Sequence, residues 1–151
     1  MSGEIDTRKH IARVGVLIHL VIKNLLDRAS NHDATKLEDP EVAIFERVSD
    51  RLAELHYDSK EYKECLAEMK PALDHHYAKN RHHPEHFVQG VRDMTLIDII
   101  EMLCDWKAAS ERQLDGNILK SIDQNKARFG YSSELADILA NTVKALGFVE
   151  G

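Results

Sequence analysis

The chain has 151 residues, 43% hydrophobic and 30% charged, a size and balance that suit one ordinary globular domain with a core of its own. Its net charge of -6 excludes a general nucleic-acid binder, because a phosphate backbone selects a net basic face. No apolar run reaches the roughly 20 residues that cross a bilayer, and the best stretch, residues 14–26, is broken by His19, Lys23 and Asn24.

The first residues mix acids with Arg8 and Lys9 and lack a signal-peptide core, so a cytoplasmic location and no membrane partner are expected. Cys65 and Cys104 form neither a disulfide framework nor a Cys-x-x-Cys pair, and both read as buried thiols. Histidine is the unusual count: nine in all, with five between His75 and His86.

In chain order, Ile11, Val14, Ile18, Val21, Ile22 and Leu25 recur at helical spacing and predict a helix over residues 7–29, capped by Asp6 or Thr7. Ser30-Asn31 breaks the pattern and opens a short turn through His32, Asp33 and Lys36. Asp39-Pro40-Glu41 starts a second helix, with proline at its first position and an acid in its first turn. That helix turns Ile44, Phe45, Val48, Leu52 and Leu55 inward and stops near His56. Asp58 with Glu61 reads as a capping box for a third, whose inward stripe is Tyr62, Cys65, Leu66, Met69, Leu73 and His76, with a kink at Pro71.

Residues 79–94 hold Pro84 and Gly90, show no periodicity and read as a loop. Thr95 with Asp98 opens the most apolar helix, running to about Gln113 and expected to be central. Two more helices fit residues 117–129 and 133–146, the last closed by Gly147 in a left-handed cap. With no strand pattern or repeat, the expectation is an all-α fold, a compact single-domain bundle of about six to seven helices over residues 1–151.

Several potential ligands occupy positions where helices ordinarily place carbon. At about 100° per residue His10 falls within the stripe of Val14, Leu17, Ile18 and Val21, and His76 falls in line with Met69 and Leu73. A buried histidine needs a carboxylate, a carbonyl or a metal. His32-Asp33 adds an imidazole and a carboxylate from one turn, although such a pair at a helix start is ordinarily a capping aspartate beside a surface histidine. Asp98, Glu101 and Asp105 share one face of the apolar helix, and His82-His83-Pro84 presents two adjacent imidazoles.

The order His10, His32-Asp33-Ala34-Thr35-Lys36, His76, His82-His83 and Asp105 resembles the HD-domain superfamily of metal-dependent phosphohydrolases. The His-Asp-x-x-Lys run followed by a double histidine is closest to its HD-GYP branch, although that branch's Gly-Tyr-Pro element is missing. His75-His76-Tyr77, Asn80 to His86 and Glu101 to Lys107 also resemble a family of small, uncharacterised bacterial and phage proteins.

The HD resemblance implies an HD-like helical domain in which His10, His32, Asp33 and Asp105 hold one divalent ion. Asp33 would bridge to a second ion completed by His76, His82 and His83. One or two ions of manganese, iron, zinc, nickel or magnesium are expected. The implied activity is hydrolysis of a phosphate ester, nucleotides included, by metal-activated water. Asp33 and Lys36 are the catalytic candidates, and Lys36, Lys79 and Arg81 the phosphate-binding ones. Two other readings stay open: a di-iron oxygenase on the same fold, and a non-catalytic binding module whose loop is ordered by a histidine network. The sequence also leaves a homo-oligomer open.

Overall fold

The computed structural model describes residues 2–54, 59–112 and 116–149. Every regular element among them is helical: α1 Ser2–Asn31, α2 Glu41–Glu54, α3 Lys60–Lys79, α4 Leu96–Ser110, α5 Ile118–Phe129 and α6 Ser133–Ala145. Short 3-10 turns lie at Ala34–Leu37, Pro84–His86 and Gly90–Asp93. The all-α expectation and its helix number hold. No helix among the described residues is long and apolar enough to cross a membrane.

The chain divides into two units, Met1–His32 and Asp33–Gly151. The first is α1 alone, longer at both ends than the predicted helix because its expected caps act otherwise. Thr7 Oγ1 donates back to Gly3 O at 2.8 Å, Ser30 Oγ to Leu26 O at 3.0 Å and Asn31 Nδ2 to Asp27 O at 2.8 Å. Short polar side chains bonded to the preceding turn continue a helix instead of ending it. A single helix has nothing within its own unit to cover a stripe, and Val14, Leu17, Ile18 and Val21 are 39–54% exposed. His10, placed on that stripe, is exposed with them.

In the second unit α2 packs on α3, where Val48 and Cys65 are fully buried. Helix α2 begins at Glu41, one residue after Pro40, and α3 runs through Pro71. Ser59 caps α3 by accepting from Tyr62 N; the expected cap at Asp58, like Leu55 and His56, lies outside the described residues. Leu66 of the predicted inward stripe is 39% exposed, and Ala72 takes the buried position instead.

A second packing centre joins α4, α5 and α6 through Ile99, Met102, Leu103, Ile122, Leu139 and Val143. Tyr131 locks it by donating its hydroxyl to Ile122 O at 2.6 Å. Asn117 caps α5, and Gly130 and Gly147 take left-handed backbone at φ 66° and 69°, where a side chain would be strained. One line of α4, Leu96, Ile100, Cys104 and Ala108, is exposed, so the helix is less enclosed than its composition suggested. Cys104 on that line is therefore not the buried thiol expected of it; Cys65 is.

The segment between α3 and α4 is tied down although it lacks periodicity. Asn80 Nδ2 donates to His76 O at 2.9 Å, and His86 Nδ1 lies 2.8 Å from Tyr77 O. Its far end is the Thr95–Asp98 capping box, in which Asp98 accepts from Thr95 N and Thr95 Oγ1 at 2.9 and 2.8 Å. Thr95→Ala removes the hydroxyl that caps Asp98 N and donates to its carboxylate, leaves the Thr95 N–H bond in place, and should lower stability by about 1 kcal/mol. A urea titration would show it as a lower midpoint with an unchanged slope.

Candidate metal centre

Four side chains of the second unit converge on one point: Asp33, His76, His82 and His83, with ligand atoms within 4.8 Å of one another. Asp33 precedes the Ala34–Leu37 turn with a left-handed backbone, φ 54°, rare for a residue with a side chain. Such a conformation persists where the surroundings over-determine it. His76 comes from the buried side of α3, and His82 and His83 from the loop that Asn80 ties to that helix.

The Asp33 Oδ1 atom lies 3.3 Å from His76 Nε2 and 3.3 Å from His82 Nε2, and His76 Nε2 lies 2.9 Å from His83 Nε2. Ligands about 2.05 Å from an ion stand about 3.3 Å apart in a tetrahedron and about 2.9 Å apart at adjacent octahedral corners. These three separations are compatible with donors that share one ion. Three imidazole nitrogens and a carboxylate also form a donor set that suits zinc, manganese, iron or nickel.

Behind the ligands stand carboxylates that fix which nitrogen faces inward. His76 Nδ1 donates to Glu41 Oε2 at 2.8 Å, leaving its Nε2 lone pair toward Asp33. His82 Nδ1 faces Glu101 Oε1 at 3.2 Å. Glu41 is fully buried, and its other oxygen takes His75 Nδ1 at 2.7 Å. A carboxylate behind a histidine that presents its far nitrogen orients the ring and raises its basicity as a ligand.

The electrostatics follow from this crowding. Burial would raise the Asp33 pKa, but bonds from His76, His82 and Lys36 hold the carboxyl well below its ordinary range. Burial would lower that of His82, but Asp33 and Glu101 outweigh it and lift it to about 9. For His83, burial and the neighbouring His82 and His76 act together and push it down to about 3, which leaves a neutral ring. Burial disfavours the Glu41 carboxylate, and bonds from His75, Thr35 and His76 reverse that to a lowered pKa.

The other predicted site residues are placed differently. Asp105 is half-buried on α4, with a carboxylate oxygen within 4.8 Å of one of Asp33's. Lys36 Nζ sits 2.5 Å from Asp33 Oδ2, so its ammonium faces the centre. Arg81 engages fully buried Asp98 at 3.1 and 3.2 Å and lies over the Phe87 ring, an arrangement that ties the loop to α4. Lys79 is exposed at the end of α3. His10 and half-buried His32 belong to the first unit, His32 as the residue preceding Asp33. Sequence reasoning missed Glu41 and His75 as parts of the centre, and it placed Glu101 on one face with Asp98 and Asp105 without pairing it to His82. Glu41 reads as a helix-start acid, and His75, about 100° round the helix from His76, stands off the apolar stripe, where it meets Glu41.

The chain belongs to DUF5662, a family of unknown function, matched over residues 2–146. No curated protein and no solved structure matches it.

Glu41→Gln should weaken zinc or manganese binding about 10- to 100-fold, read by competition with a chromogenic chelator. An ion bound here would have to displace the proton that His82 holds up to about pH 9, so affinity should rise with pH from near neutrality toward that value. Calorimetry at pH 7 in buffers of different ionisation enthalpy should show about one proton released per ion.

Proposed function

We propose that the protein is a metal-dependent hydrolase of phosphate esters. The observation that carries this reading is the convergence of Asp33, His76, His82 and His83 at coordination distances, with Glu41 and Glu101 orienting two of the rings. A structural metal is unnecessary for a unit that already buries two packing centres, which favours a working ion. The phosphate ester as substrate class comes from the resemblance of the ligand order to HD-domain phosphohydrolases.

A divalent ion held by these residues would supply positive charge at the phosphoryl oxygens and lower the pKa of a water to near neutrality. Asp33, ionised across the physiological range, orients that water and is too weak a base to carry its proton away. Water oxygen bonds to phosphorus as the ester P–O bond breaks, and one water proton ends on the departing alcohol. Lys36 is 44% exposed, and its flexible stem lets the ammonium turn from Asp33 to a phosphate oxygen when substrate arrives. Glu41 and Glu101 keep the histidine tautomers fixed throughout.

Tag-free protein should carry a divalent ion by elemental analysis and hydrolyse 4-nitrophenyl phosphate, losing activity to a chelator and regaining it with manganese or zinc. Asp33→Asn and His82→Ala should each lose the ion and lower kcat/KM by about three orders of magnitude. Activity that survives complete removal of the ion would refute the proposal.

A further inference from the structure

A cleft of about 240 Å³ opens between α3, the loop that follows it, α4 and α5, and its lining includes Tyr77, His83, Asp105, Trp106, Asn125 and Arg128. Two of these tie it to the metal centre. His83 presents its Nε2 to His76 at 2.9 Å, and Asp105 lies within 4.8 Å of Asp33. The cleft therefore begins where the ligand set ends.

Away from the centre aromatic rings stand beside polar side chains. The Trp106 ring lies parallel to Phe129, with 4° between the planes. Arg128 is held at the rim, 2.7 Å from Glu85 Oε1 and 4.7 Å above the Phe129 ring. Asn125 is half-buried, and among the described residues no group hydrogen-bonds its side-chain amide. An aromatic face beside an amide that offers both donor and acceptor suits a planar ring with polar atoms on its edge. The volume is below the roughly 300–1,000 Å³ of sites for drug-sized molecules, so the cleft has room for one ring and not for a polymer.

We infer that this cleft seats the organic group of the substrate, a single planar ring such as an aryl group or nucleobase, against Trp106 and Asn125, with its phosphate toward His83 and Asp33. The phosphate half of this assignment rests on the phosphohydrolase reading; the ring half rests on the cleft alone.

Trp106 is the chain's one tryptophan, so its emission reports this cleft directly. With the protein as purified, phenyl phosphate and uridine monophosphate should change Trp106 emission saturably, and glycerol phosphate should not. Asn125→Leu should raise the dissociation constants of both ring-bearing probes about tenfold, equivalent to about 1.4 kcal/mol, while the metal content per chain stays unchanged. Arg128→Ala, made on an exposed side chain and posing less risk to folding, should weaken the same probes in the same assay.

Unchanged emission with both ring-bearing probes, or an equal change with glycerol phosphate, would overturn the cleft assignment. Hydrolysis of phenyl phosphate without any emission change would remove the cleft and leave the activity standing. A saturable change without hydrolysis would remove the activity and leave the cleft as a ring-binding site.

Discussion

The contact of Asp33 Oδ1 with the Nε2 atoms of His76 and His82 is the constraint around which the second unit is organised. It joins three segments that no regular element connects: the turn before α2, the C-terminal half of α3 and the loop leading to α4. A carboxylate and imidazoles gathered in a largely buried place are costly unless each is satisfied on its outer side. Glu41 does this for His76 and Glu101 for His82, and these two carboxylates recruit the first turn of α2 and the middle of α4. One cluster thus ties together five segments of the unit.

The three acids of α4 show how the same residue type divides its roles by partner. Asp98 is buried and neutralised by Arg81 while it closes the capping box at Thr95. Glu101, one turn on, backs His82, and Asp105 lines the cleft within reach of Asp33. Like charges along one helix face would repel, and here cationic or hydrogen-bonding partners from the preceding loop meet the first two. The loop is therefore ordered by the chemistry it presents, through Arg81 and His82 on α4 and Asn80 on α3.

Much of the candidate centre was legible because its donors are chemically unusual for their positions. His76 in an apolar stripe announces a buried imidazole, and His82-His83 beside a proline announces a stiff loop of ligands. Asp33 carried a weaker signal, since an aspartate at a helix start ordinarily caps, yet its side chain makes no capping bond here and reaches His76 and His82 instead. Of the outer carboxylates, Glu41 was not legible. Glu41 is 35 residues from His76, and an acid in the first turn of a helix is already explained by the helix dipole. The apolar spacing along α1 was read correctly as helical, but periodicity says only that a stripe exists and not what covers it.

The sequence by itself determined the helices of the second unit, the Thr95–Asp98 capping box and the left-handed glycine at Gly147, because those depend on bonds between residues three or four apart. It also marked the residue types able to hold an ion. The tertiary structure decided which of them meet. It drew His76, His82 and His83 onto Asp33, assigned Asp98 to Arg81 and Glu101 to His82, and turned His75 onto Glu41. Spacing along a chain fixes the face of a helix on which a side chain stands, and only the packing of separate segments brings charges from distant positions within a few ångströms of one another.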